Sequence, residues 1–262
     1  HVAENLSREN KLRQALDREE FVLHYQPKVN LSSGKLTGAE ALIRWNDPET
    51  GLVPPGQFIP ILEETGLIHV VGRWALRKAI EDFLRWRATS LAAVRIAVNV
   101  SPMQLRDRGF TAEIQRATGV DTQAAAGLEL EITESLIMED VVHSIATLQE
   151  IRAMGVTIAI DDFGTGFSSL SYLAKLPVDA LKIDRSFIID MTGSPQGLSL
   201  VSTIINLAHS NKLKVVAEGV ETDEQSRVLK LLSCDEMQGF LFSKPVPVGV
   251  FEELFLRKKS TD

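Results

Sequence analysis

The chain has 262 residues, 44% hydrophobic and 24% charged, an ordinary globular balance that argues against disorder, collagen-like repeats and coiled coil. Its 28 basic and 35 acidic residues leave a net charge of −7, so the surface as a whole repels nucleic acid and anionic membranes. No apolar run approaches the roughly 18 residues that cross a bilayer, and the single cysteine, Cys234, excludes an internal disulfide or a Cys-rich zinc site and fits a reducing compartment, the cytoplasm.

In chain order, residues 1–20 are polar and charged, with only a partial apolar stripe at Leu6, Leu12 and Leu16, and read as a linker helix from an upstream module. The domain proper is expected over 21–262. FVLHYQPKVNL and KLTGAEALIRW flank Ser32-Ser33-Gly34, which predicts the one β-hairpin. From residue 56 short apolar runs alternate with helical stretches. Strands are expected over 94–100, 127–133, 156–161, 179–184 and 214–220, and helices over 55–64, 68–88, 102–118, 141–154, 168–173, 198–210 and 223–232. TGSPQG (192–197) is the best loop candidate of the second half. Strand and helix in repetition give an α/β fold with a parallel sheet, and a closed (β/α) barrel is favoured over an open doubly wound sheet, for which no GxGxxG is present.

Each strand ends on a polar residue: Glu40, Asn99, Glu131, Asp161, Lys182 and Glu218 lie at or near the C-terminal ends of apolar runs. Residues two apart share a face, so Ala97, Ala159 and Ala180 lie beneath Asn99, Asp161 and Lys182, small residues below long polar ones. In a barrel that rim hosts the chemistry. Singly, a carboxylate there is equally well a solvated loop residue or a helix N-cap. Converging on one rim, the four carboxylates would repel one another unless a cation sat among them, and oxygen donors without His or Cys select Mg²⁺ or Mn²⁺. Glu129 has the parity of Glu131, which is preferred as nearer the rim.

Asp161 and Asp162 can reach one site only if the strand ends and turns between them, with Gly164 and Gly166 supplying the turn; alternatively Asp162 caps the helix near Ser168. Lys182 is the one cation in this set, either as a buried ion-pair partner or as a group that orients water and balances charge on phosphorus. Arg44 shares a face with Glu40 and could clamp a phosphate. The five histidines, His1, His24, His69, His143 and His209, are scattered and none precedes Asp, which argues against a His-Asp metal hydrolase.

In HYQPKV (24–29), GAEALIRW (38–45), PPGQFIP (54–60), AVNVSPMQL (97–105), LEITES (130–135), DDFGTGFSSLSYL (161–173), LKIDRSFI (181–188), VVAEGVET (215–222) and MQGFLFSKPVP (237–247), the chain resembles the EAL domain family of bacterial cyclic di-GMP phosphodiesterases, from about Phe21 to Phe255. The resemblance implies a modified (β/α)8, TIM-like barrel with one antiparallel strand. It implies hydrolysis of cyclic di-GMP to linear pGpG with two Mg²⁺ or Mn²⁺ ions held by Glu40, Asn99, Glu131, Asp161, Asp162 and Glu218. Lys182 corresponds to the catalytic lysine, joined by Glu40, Gln238 and Glu221, with Gln238 near the attacking water. Glu134 and Glu221 look like the glutamates that steady the 161–166 loop, Gln26 and Arg44 match substrate contacts, and Asp184 and Pro245 lie beside a guanine. The helix from Ser168 resembles the family's dimerisation element, so a homodimer is expected, with a sensor or GGDEF-type module upstream in the full-length protein. The family often has Tyr in place of Phe240, and 192–197 is not matched closely. Two alternatives stay open: a receptor that binds the nucleotide without cleaving it, and a Schiff-base role for Lys182, against which the surrounding carboxylates argue by keeping it protonated.

Overall fold

The runs on either side of Ser32-Ser33-Gly34 form a hairpin of β1 (Phe21–Asn30) and β2 (Leu36–Asp47), in register from Phe21 opposite Trp45 to Lys28 opposite Gly38. Asn30 builds the turn: its side-chain oxygen accepts from the amides of Ser32 and Ser33, both at 2.9 Å. A second hairpin, absent from the sequence reading, folds β3 (Gly51–Val53) back on the end of β2; three residues are too few to show an alternation. The chain is described here by a computed structural model over residues 2–89, 93–165 and 170–257.

From β2 the sheet continues through parallel strands β4 (Arg95–Asn99), β5 (Leu128–Thr133), β6 (Thr157–Phe163), β7 (Ala180–Ile183), β8 (Lys214–Ala217) and β9 (Glu236–Met237). β9 then pairs antiparallel with β1, Val29 opposite Met237, which closes the ring. Eight strands therefore form the barrel, and β1 runs against both its neighbours, as the resemblance implied. A short β10 (Val246–Pro247) adds to β1 outside it.

The outer faces of the strands carry Ile96, Val98, Leu130, Ile132, Ile158 and Ile160, all buried under the surrounding helices. The inner faces differ from the branched apolar layers that usually fill such barrels. Ala97, Ala159 and Ala180 leave room, and Lys28, Glu131 and Lys182 fill it, all buried.

The helices are α1 (Val2–Ala15), α2 (Ile59–Thr65), α3 (Ile68–Ala88), α4 (Pro102–Arg106), α5 (Phe110–Thr118), α6 (Glu134–Glu139), α7 (Val141–Ala153), α8 (Leu170–Leu173), α9 (Arg185–Gly193), α10 (Pro195–Ser210), α11 (Asp223–Leu231) and α12 (Val248–Phe251). The helix expected over 102–118 is divided, because the Asp107 carboxylate accepts from Gly109 N at 2.7 Å and turns the chain. The loop expected over 192–197 shrinks to Ser194, the N-cap of α10, whose hydroxyl accepts from Gly197 N at 3.0 Å ahead of Pro195. The start of the expected helix at Ser168 lies outside the described residues; Leu170–Leu173 is helical. The helix expected in residues 1–20 is α1, which buries Leu12 and Ala15 against Phe21, Trp45, Phe58 and Leu62 in a second core cluster. No described helix is long and apolar enough to cross a membrane.

Candidate active site

The parallel strands all point their C-terminal ends at one rim, and the polar residues that end them meet there. Lys182, fully buried on β7, lies 2.7 Å from Glu131 Oε2, 2.6 Å from Glu218 Oε1 and 3.6 Å from Glu40 Oε2. It is the one cation among the strand-end residues, but a second lysine reaches the cluster from below. Lys28 on β1 is also buried and places its ammonium 3.0 Å from Glu131 Oε1 and 3.4 Å from Glu129. Each oxygen of Glu131 thus takes one lysine. Lys28 was legible in principle, since it lies two residues from Gln26 on the same inward face.

On the other side of the cluster, Asn99 donates from Nδ2 to Glu40 Oε1 at 2.9 Å, and Gln238 donates from Nε2 to the second Glu40 oxygen and, at 2.8 Å, to Gln26 Oε1. Gln26 in turn donates to the Ser243 carbonyl at 3.1 Å. Gln238 Oε1 is buried without a hydrogen-bond partner among the described residues, an unused acceptor beside Glu40.

Asp161 and Asp162 both belong to this rim, but not because the strand ends between them. β6 runs on to Phe163, its pairing with β7 slips between Ile160 and Phe163, and Asp162 takes a φ of 53°. A bulge at Asp162 makes the turn before the glycines are reached, a conformation that aspartate tolerates better than most residues.

Two groups of carboxylates are close enough to grip one cation each: Glu40, Glu131 and Glu218, and Asp161, Asp162 and Glu218, with one oxygen from each residue lying within 4.8 Å of the others. Glu218 is common to both. Their protonation reflects the crowding. Burial, then the charge of Glu131, pushes Glu40 up to about 7. Burial pushes Glu218 up to about 8, with Asp161 and Glu40 adding to it against the pull of Lys182. Burial, then Asp161 and Asp184, raises Asp162 to about 6. Glu131 goes the other way: burial opposes its charge, but Lys182 and Lys28 together hold it below the usual carboxylate range. Lys182 remains an ammonium well above its ordinary value, because Glu131, Glu218 and Glu40 outweigh burial, and so it is no free amine for a Schiff base. Carboxylates that share protons for want of positive charge, beside an open amide oxygen, are a donor set suited to hard divalent ions.

Around this centre, Glu134 at the start of α6 accepts from Gly164 N at 3.1 Å and so touches the 161–165 loop. The carboxylate of Glu221 pairs with Arg185 at 2.9 Å; among the described residues no hydrogen bond ties it to 161–165. Asp184 caps α9 through Ser186 N at 2.9 Å and meets Asp162 side chain to side chain. Arg44, with Nη1 on the Ile43 carbonyl at 2.9 Å, lines an apolar cavity of about 330 Å³ that Asn99 also lines, together with Pro55, Ile59 and Ser101. Pro245 is half-buried in the rim segment where Lys244 lies 5.2 Å over the exposed Phe240 ring.

A family model described as the EAL domain matches residues 9–245. The chain is 45% identical over 247 residues to the Pseudomonas aeruginosa protein named bifunctional diguanylate cyclase/cyclic di-GMP phosphodiesterase MucR, covering 94% of this chain and 36% of that protein. It is 42% identical to the cyclic di-GMP phosphodiesterase NbdA of the same organism, covering 98% of this chain and 33% of the relative. The solved structure titled PaMucR phosphodiesterase, c-di-GMP complex, superposes with a TM-score of 0.90 at 44% identity, covering 94% of this chain and 99% of that one. The chain thus spans about a third of the length of these curated relatives but nearly all of that solved domain.

Proposed function

The chain belongs to the EAL domain family, and on that footing we propose that it hydrolyses cyclic di-GMP to linear pGpG. The observation that carries the reading is the pair of carboxylate groups sharing Glu218 beside a buried Lys182, in a barrel closely similar to a phosphodiesterase solved with this nucleotide.

Glu40, Asn99, Glu131 and Glu218 would hold one divalent ion, and Asp161, Asp162 and Glu218 the other, as Mg²⁺ or Mn²⁺. Bound there, the ions would supply Lewis acidity, acidifying a water and offsetting charge on the phosphodiester. Gln238 Oε1, which has no partner among the described residues, would accept a hydrogen bond from the attacking water and aim it. Lys182, fixed as an ammonium, donates to the water or to the oxygens of the phosphorus centre as charge builds on them. Water oxygen bonds to phosphorus as the P–O3′ bond breaks; the proton the water gives up balances the one the departing 3′ oxygen takes, and the ring opens to the linear dinucleotide. Arg44 clamps a phosphate at the mouth of its cavity, Gln26 holds Gln238 in line, and Asp184 and Pro245 border a base. Glu134 steadies the 161–165 loop through Gly164 N, and Glu221, paired with Arg185, would support the site from beside α9.

The reading extends to a homodimer and to a sensor or GGDEF-type module beside this domain, the latter supported by the relative whose name joins a diguanylate cyclase to a phosphodiesterase. Cytoplasmic action fits the single buried thiol Cys234. Chromatography of cyclic di-GMP incubated with the purified chain and Mn²⁺ should show pGpG accumulating; tight binding with the cyclic nucleotide recovered intact would instead make the domain a receptor.

A further inference from the structure

We propose that Lys28 is a positioning residue for the reaction, holding Lys182 at the rim by satisfying the two glutamates beneath it. The inference rests on the reading that Lys182 acts at the rim.

The barrel interior is layered. At the lower level Glu129 Oε2 accepts from Thr157 at 3.0 Å, and Thr157 accepts from Arg95 at 3.1 Å. The other Glu129 oxygen and Glu131 Oε1 face Lys28, at 3.4 and 3.0 Å. Gly38 is the partner of Lys28 across the hairpin, and a Cβ there would press on the Arg95 carbonyl at 3.3 Å while meeting Lys28 Cδ at an ordinary 3.8 Å. With Lys28 in place, only Glu131 Oε2 is offered to Lys182 from below, at 2.7 Å, and the other ammonium protons turn up to Glu218 and Glu40.

Without Lys28, the buried Glu131 Oε1 and the part-buried Glu129 Oε1 lose their cation. An uncompensated buried charge is costly, and the next cation beside Glu131 is Lys182 on a flexible four-carbon stem. It would be drawn down toward Glu131, with the Glu129 charge below adding to the pull, away from Glu218 and from the reacting phosphate.

The test combines turnover of cyclic di-GMP with Mn²⁺ affinity measured by electron paramagnetic resonance without nucleotide. Lys28→Met should lower kcat roughly 10–100-fold, the range typical of residues that support a metal ligand, with KM unchanged within about twofold. Mn²⁺ should bind about threefold tighter or more, because Lys182 has withdrawn its charge from Glu218 and Glu40. Lys28→Met combined with Glu129→Gln, which weakens the downward pull, should recover most of the lost kcat. A purely structural lysine would move kcat and Mn²⁺ affinity down together. That outcome overturns the proposal, as does a kcat within about twofold of the parent, or a double variant no faster than the single. If Lys28→Met does not fold, Lys28→Gln, which keeps a donor without the charge, carries the same readings. If the parent chain leaves cyclic di-GMP intact, the functional reading fails separately and the Mn²⁺ measurement alone decides this one: tighter binding sustains it, equal or weaker binding overturns it.

Discussion

Lys182 and Glu218 stand 2.6 Å apart, and Glu218 is the residue common to both carboxylate groups at the barrel rim. A single oxygen-bearing side chain therefore couples two cation positions to one fixed ammonium. Replacing Glu218 by Gln keeps the shape and removes that coupling. We expect turnover to drop by more than about 100-fold, beyond what loss of an outer-shell partner brings, and Mn²⁺ stoichiometry by calorimetry to fall from two per chain. Retention of both ions with turnover intact would contradict the assignment.

The same crowding sets a pH dependence for the metal-free chain. Glu40 and Glu218 ordinarily titrate near 4.5 and are raised to about 7 and about 8 in the fold, so between those limits the folded state binds more protons than the unfolded one. Stability must then decrease as pH rises through about 4.5–8. Glu131, lowered, acts only below that window, and Lys182, raised, only above it. Melting temperatures in EDTA should fall between pH 5 and 8, and the gain on adding Mn²⁺ should grow over the same interval, because metal and protons compete for the same oxygens. A melting temperature that climbs toward pH 8 without metal would oppose this account.

Glu134 is the described side chain that receives the Gly164 amide, at 3.1 Å, and Gly164 has a φ of 92° that a side chain would resist. Glu134→Ala should leave the melting temperature nearly unchanged and reduce kcat roughly tenfold or more, since the loop that carries Asp161 and Asp162 loses its tether. Unaltered kinetics would remove Glu134 from the site.

Most of the barrel was legible because its strands are apolar runs ending in polar residues, a pattern that places the rim without any contact being known. The antiparallel β1 could be read from the turn at Ser32-Ser33-Gly34. What escaped did so for physical reasons. β9 has two residues, too few to carry a period, although it closes the ring. The bulge at Asp162 arises from pairing with β7, so the local sequence suggested a turn at the glycines instead. Lys28 was not singled out in the sequence, because only closure of the barrel over β1 turns the hairpin's inward face into a charged interior. Glu221, matched by motif to the loop, faces Arg185, a pairing made by the start of a helix, α9, that the sequence reading did not include.

The central claim is that water attacks phosphorus at this rim. It is tested most directly by incubating the chain with cyclic di-GMP and Mn²⁺ in ¹⁸O-labelled water and weighing the product by mass spectrometry. The account predicts pGpG carrying one ¹⁸O in its terminal phosphate, formed by the parent chain and lost with Glu218→Gln. Unlabelled cyclic di-GMP recovered intact from the parent chain would contradict it.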